Sequence, residues 1–188
     1  MFIAVELPPD VKAALTGTAW SMPDFLRPAV RWSQAQMMHL TLRFLGDTEP
    51  DLVEAIAACM REASERSARF TLRLDDTGAF PAFNQPRVFW VGIAGEIDRL
   101  GMLHTRIEGS LAGIGIATED RRYNPHLTVG RLQSQVPPFQ AAQVGQAFAH
   151  AKLPDPRPQF LVDSLVLFRS QLQPDGPRYE ELARASLA

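Results

Sequence analysis

Cysteine is all but missing from this chain: its 188 residues hold one, Cys59. That excludes an intramolecular disulfide and any cysteine-rich zinc site. Cys59 lies in an Ala-rich helical run and reads as a small buried residue, not a nucleophile. Lysine is scarce as well, with Lys12 and Lys152 beside 17 Arg. Such a bias suits bidentate phosphate grip, or reflects genomic base composition. Neither charge sign is in excess: the formal net charge is −2, which argues against a sequence-blind duplex DNA binder. No apolar run approaches the ~18 residues of a membrane span. Met1-Phe2-Ile3-Ala4-Val5-Glu6 also lacks the basic flank of a signal peptide. A cytoplasmic protein with no membrane partner is expected. The carboxylates Asp47 and Glu119-Asp120 are not at ligand spacing, so no metal is expected.

What the chain has is ordinary globular composition, 46% hydrophobic and 21% charged. The length fits a single domain over 1–188, or two closely joined lobes. Read in order, residues 2–7 form a strand and 10–20 a helix. A strand comes next at 37–45, then a helix from Asp47-Thr48-Glu49-Pro50-Asp51 to about 67. Strands are expected at 70–74 and 87–93, with 78–86 as a turn that tucks in Phe80 and Phe83. A helix over 96–112 stops at Gly113 and Gly115. Residues 121–131 hold the next strand, and a helix follows at 137–150. One strand over 159–168, a turn at Pro174-Asp175-Gly176 and a strand over 178–187 close the chain. The fold class is α+β, mixed rather than regularly alternating.

The most informative stretch is His39-Leu40-Thr41-Leu42-Arg43-Phe44-Leu45-Gly46-Asp47. Strict alternation places Leu40, Leu42 and Phe44 on a core face and His39, Thr41 and Arg43 on the other. Pro125-His126-Leu127-Thr128-Val129-Gly130-Arg131 repeats the pattern. With four His and nine Thr in the chain, two His each followed by Thr two residues later is roughly a one-in-seventy coincidence. Each motif strand has a helix before it and a helix after it. Two similar lobes are therefore expected, related by an approximate two-fold axis, with the motif strands facing across a groove.

Two such pairs suit phosphate chemistry. One His, neutral, takes a proton from water; the other, protonated, gives one to a leaving oxygen. Each Thr hydroxyl donates to a phosphoryl oxygen where charge builds up. The candidate catalytic residues are His39 and His126; the candidate phosphate-binding residues are Thr41, Thr128, Arg43 and Arg131. Arg43 shares the parity of His39, whereas Arg131 needs a bulge near Gly130 to be re-aimed. Phe44 and Tyr123 are considered as base-stacking residues, with Phe44 favoured as core. His104 and His150 are assigned no catalysis. Trp20, Trp32 and Trp90 are read as core residues.

The double His-x-Thr-apolar pattern, Arg-Trp…His-Leu-Thr-Leu-Arg-Phe-Leu-Gly, Pro-His-Leu-Thr-Val-Gly-Arg and the ending Leu-Val-Leu-Phe-Arg-Ser…Gly-x-Arg-Tyr resemble the two-histidine phosphoesterase superfamily. The nearest branch is the RNA 2′,3′-cyclic phosphodiesterases, long called 2′-5′ RNA ligases. The resemblance implies two pseudo-symmetric lobes with antiparallel sheets around a central cleft and helices outside. It implies opening of a terminal RNA 2′,3′-cyclic phosphate to a 2′-phosphate, with 2′-5′ ligation as a related activity. By analogy, His39 is the proton donor to the 3′-oxygen and His126 the base that activates water. No metal or other cofactor is implied. The expected partner is RNA, or a nucleotide, with a 2′,3′-cyclic phosphate end, met by a monomer. Small cyclic nucleotide phosphates are the alternative substrates, and a non-catalytic nucleotide-binding module is the alternative class.

Overall fold

A computed structural model describes residues 1–173 and 176–188, so the turn expected at Pro174-Asp175 lies outside the described residues. In chain order the elements are β1 (Phe2–Glu6), α1 (Pro9–Trp20), β2 (Val30–Trp32), β3 (His39–Phe44), α2 (Val53–Glu65), β4 (Phe70–Phe80) and β5 (Val88–Gly95). They continue with α3 (Ile97–Gly113), β6 (His126–Leu132), α4 (Pro138–Ala149), β7 (Gln159–Val162), β8 (Ser164–Gln173) and β9 (Gly176–Ser186).

The strands form two sheets, ordered β3-β1-β8-β9 and β2-β6-β5-β4-β7. Every pairing is antiparallel. Two sheets with helices against them give the expected α+β class and its two like halves. In each half the motif strand lies beside a strand from which a helix separates it in sequence: β1, α1, β3 in one, β5, α3, β6 in the other. The motif strands β3 and β6 are neighbours although they belong to different sheets.

The helices form where apolar residues recur at helical spacing. Ile56, Cys59, Met60 and Ala63 are the buried stripe of α2, and Leu100, Leu103, Ile107 and Leu111 that of α3. One continuous core joins these stripes to Ile3, Val5, Leu40 and Leu42 of the first sheet and Phe89, Val91, Leu127 and Val129 of the second. A smaller cluster, Phe2, Ala4, Val166 and Phe168, lies apart from it, with Tyr179 packed against it. The first sheet therefore has apolar residues on both faces.

The structure differs from the sequence reading at two strands. The single strand expected over 159–168 is two strands, broken at Asp163: β7 pairs with β4 in one sheet and β8 with β1 and β9 in the other. The polar pair Asp163-Ser164 interrupts this apolar run, but nothing in the pattern says that the segments on either side join different sheets. The strand expected at 70–74 runs on to Phe80, through a register shift between Leu74 and Thr77. Gly78 and Phe80, expected in a turn, are strand residues.

Gly145 shows how tightly α4 is seated. A Cβ there would lie 1.8 Å from the Phe83 carbonyl oxygen. Gly145→Ala is expected to cost about 1–3 kcal/mol through overpacking, seen as a lower urea midpoint with an unchanged slope.

Candidate active site

Each motif strand carries a β-bulge at the same place. In the β1–β3 ladder Ile3 pairs with Arg43 but Ala4 with Thr41, so Leu42 is the extra residue. In the β5–β6 ladder Phe89 pairs with Gly130 but Trp90 with Thr128, so Val129 is the extra residue. A bulge reverses the facing of the residues beyond it. His39, Thr41 and Phe44 consequently share one face of the first sheet, and His126, Thr128 and Arg131 share one face of the second. Phe44 and Arg131 occupy equivalent positions.

This corrects the strict alternation expected of the first motif. Phe44, expected in the core, is 60% exposed, and Arg43, expected in the groove, is 6% exposed. The Arg43 Nε lies 2.9 Å from Glu108 Oε1 and Nη1 3.4 Å from Glu119, while Nη2 donates to the Ala117 carbonyl. The 2.9 Å contact is an ion pair without hydrogen-bond alignment. Arg43 is thus a buried tie from β3 to α3 and the segment after it. Arg131 behaves as the bulge near Gly130 requires: it is exposed, on the face of His126 and Thr128.

The two imidazoles are held in the same way. His39 Nδ1 lies 2.8 Å from the Met37 carbonyl oxygen, and His126 Nδ1 lies 2.8 Å from that of Asn124. A carbonyl only accepts, so Nδ1 carries the proton in each ring. Nε2 is left with the lone pair in the neutral form and becomes a donor when the ring is protonated. Both His are therefore set to exchange protons through Nε2.

Their surroundings differ. Phe2 stacks on His39 at 4.6 Å between ring centroids, and Tyr179 meets it edge-on at 5.3 Å. His126 has Phe80 edge-on at 5.0 Å and Trp90 at 6.1 Å. Burial pushes His39 down to about 4; the bond to the Met37 carbonyl opposes this and the Lys12 charge adds to it. His39 is neutral at pH 7 in the free protein.

Sequence reasoning does not single out Phe2, Phe168, Tyr179, Phe80 or Trp90 as neighbours of the His. Tyr179 belongs to the closing Gly-x-Arg-Tyr motif, which by itself suggests no role, and a turn at 78–86 would conceal Phe80. Trp90, read as core, lies opposite Thr128 and against Gly78, where a Cβ would come within 2.1 Å of the indole. Trp32 is half-buried beside Phe89 and Phe148. The side chain of Trp20 lies outside the described residues. Tyr123, considered for base stacking, is instead stacked on His104 at 4.2 Å, and its hydroxyl donates to the Thr41 carbonyl at 3.1 Å. Burial raises its pKa. His104 therefore has a packing role. His150 Nδ1 lies 2.8 Å from the Gln146 carbonyl at the end of α4. Among the described residues, no three His, Cys, Asp or Glu side chains cluster as a metal site. No helix among them is long and apolar enough to cross a membrane.

Two similar sheets, each presenting a His-x-Thr strand, define the two-histidine phosphoesterase class. Consistent with this, the chain resembles E. coli LigT complexed with 3′-AMP, with a TM-score of 0.78 at 25% identity, covering 100% of this chain and 97% of that one. Residues 7–174 match the model of the 2′-5′ RNA ligase superfamily, and the chain belongs to that family. Among curated relatives, a Geobacillus stearothermophilus protein named RNA 2′,3′-cyclic phosphodiesterase is 30% identical over 182 residues, 97% of this chain and 55% of that protein. A Thermotoga maritima protein of the same name is 31% identical over 153 residues, 80% of this chain and 76% of that one. The chain thus spans about half the length of the Geobacillus relative.

The buried groups generate two testable outcomes. Arg43→Met leaves Glu108 buried without its cation. It is expected to cost about 3 kcal/mol in urea unfolding, while the KM of the folded fraction stays within about twofold because Arg43 faces away from the groove. The unfolded chain takes up the His39 proton near pH ~6.5, the folded protein only near about 4. Between these values the unfolded state binds more protons, so stability falls as pH falls from 6.5 toward 4. Relative to His39→Gln, the native protein is expected to lose about 3 kcal/mol over that window, measured by urea titration at each pH.

Proposed function

We propose that the protein opens the 2′,3′-cyclic phosphate at the end of an RNA to a 2′-phosphomonoester. The single observation that carries this is the duplicated imidazole geometry: Nδ1 at 2.8 Å from the carbonyl two residues back in both motif strands. Both Nε2 atoms are thereby free for proton transfer. The names of the curated relatives and the 3′-AMP bound to LigT support the same substrate class.

In this mechanism, a water attacks phosphorus on the side away from the 3′-oxygen. His126 Nε2 takes a proton from that water as the new P–O bond forms. The P–O3′ bond breaks in line, and protonated His39 gives its Nε2 proton to the departing 3′-oxygen. The product keeps the phosphate on the 2′-oxygen and gains a free 3′-hydroxyl; one water is consumed. Thr41 and Thr128 hydroxyls donate to the non-bridging oxygens, where negative charge grows. Arg131 adds a cation on the same face. Arg43 has no part in this reading. His39 must be charged to act as the acid, and the phosphodiester anion that docks beside it raises its proton affinity.

One chain supplies both His–Thr pairs, so we take the working unit to be a monomer of residues 1–188 acting as one domain, in the cytoplasm. The four side chains provide acid, base and oxyanion donors, so turnover is expected to persist in EDTA. A short RNA ending in a 2′,3′-cyclic phosphate should be converted to a 2′-phosphate. His39→Ala and His126→Ala are each expected to slow this by about 10²–10⁴-fold, and Thr41→Ala or Thr128→Ala by about 10²-fold or more. Full activity in either His variant would sink the proposal.

A further inference from the structure

Beside His39 lies a cavity of about 310 Å³ that the reaction above leaves unused. Its walls include Lys12 of α1, Gln36 of the segment before β3, Phe168 of β8, and Arg178 and Tyr179 of β9. That volume is at the small end of ligand pockets, ~300–1,000 Å³. Glu6 also lines it, and its carboxylate is held by Arg184 at 2.5 Å. On the same strand pair Arg169 is tied to Glu180, and Arg184 to Glu181 as well as Glu6. Arg178 and Lys12 are different. Among the described residues no carboxylate lies within ion-pair distance of either. Two uncompensated cations thus converge on one recess, in a chain whose net charge is −2.

We propose that this cavity is a second anion subsite, which takes the 5′-phosphate of the terminal nucleotide between Lys12 and Arg178. The assignment rests on the reading of His39 as the group that protonates the 3′-oxygen. That role puts the ribose on the His39 side of phosphorus. The substituent that continues from the ribose, C5′ and its phosphate, then extends into whatever adjoins His39, and the cavity adjoins it. A guanidinium and an ammonium are the donors that hold a phosphate, the first with two parallel bonds and the second as a point charge. Tyr179, next in sequence to Arg178, meets the His39 ring edge-on, so the anion subsite and the imidazole share one wall. A nucleoside 2′,3′-cyclic phosphate without a 5′-phosphate leaves both cations unmatched. RNA ends and 5′-phosphorylated nucleotides match them.

The test has one arm without turnover and one with it. Calorimetry would compare adenosine 2′-monophosphate with adenosine 2′,5′-bisphosphate at low ionic strength. The bisphosphate is expected to bind at least tenfold more tightly, and Lys12→Met with Arg178→Met should bring that ratio to about one. Both side chains reach solvent, and circular dichroism would check that the double variant is folded. Kinetics would compare adenosine 2′,3′-cyclic phosphate with its 5′-phosphate and with a dinucleotide bearing the same end. A higher kcat/KM for either phosphorylated substrate, lost in the double variant, supports the subsite; which one gains more tells whether a monoester or a chain diester is the natural occupant. Equal affinities, or a preference that survives the double variant, would overturn it. A bisphosphate preference without turnover would retain the subsite and remove the reaction. Turnover indifferent to the 5′-phosphate would do the reverse.

Discussion

A β-bulge places two residues of one strand opposite one of its partner, and everything beyond it changes sides. This protein uses that irregularity twice, after Thr41 and after Thr128. Up to the Thr, both strands alternate ordinarily, so imidazole and hydroxyl emerge together and Leu40 and Leu127 go to the core. Past the bulge the two copies diverge in chemistry while keeping their geometry. The first brings Phe44 to the groove and sends Arg43 inward; the second brings Arg131 to the groove and leaves Gly130 inside. The inward Arg then has to be answered, and Glu108 and Glu119 answer it from α3 and the segment beyond. Gly130 asks for no partner, and its missing side chain leaves room for Val30 and Trp32 of the neighbouring strand. The groove is therefore two-fold in its His–Thr pairs and asymmetric at its rim.

The asymmetry extends to the surroundings of the two imidazoles. His39 lies under Phe2 and beside Tyr179 and Lys12, where a positive ring is disfavoured. In the free protein this imidazole is therefore held in its neutral form, with the lone pair on Nε2. On the reading proposed above, an anion docked beside it would raise its proton affinity again, which would tie protonation to occupancy.

The alternating His-x-Thr segments make both candidate His–Thr pairs, the strand class of their carriers and the likeness of the two halves legible without coordinates. That reading works because a strand with one buried face has to alternate, and polar residues on the other face stand out. It misleads for Arg43 and Phe44, because a bulge inserts a residue without leaving a compositional mark. The second motif is more legible: Gly130 is a residue type that flags irregular strand backbone, and so points to Arg131 turning back to the groove. The aromatic setting of each His is harder to see. Phe2, Phe168 and Tyr179 come from three strands, two of them distant in sequence from β3, and only the sheet order β3-β1-β8-β9 brings them to one imidazole. The change of sheet at Asp163 is hidden for a related reason: apolar buried residues stand on both sides of the polar pair Asp163-Ser164, and which sheet each segment joins is decided by distant partners.

That break has a consequence for assembly during synthesis. The strands of the second sheet, β2, β4, β5, β6 and β7, all lie between residues 30 and 162, so that sheet can form as soon as this stretch is made. The first sheet is interleaved around it: β1 and β3 are made early, but β8 and β9 arrive last. A growing chain would thus carry β1 and β3 as an unfinished two-stranded ribbon, too small to be stable by itself. Until residues 164 onward join, His39 lacks Phe168 and Tyr179. The aromatic wall around His39 is thus completed only once β8 and β9 are in place.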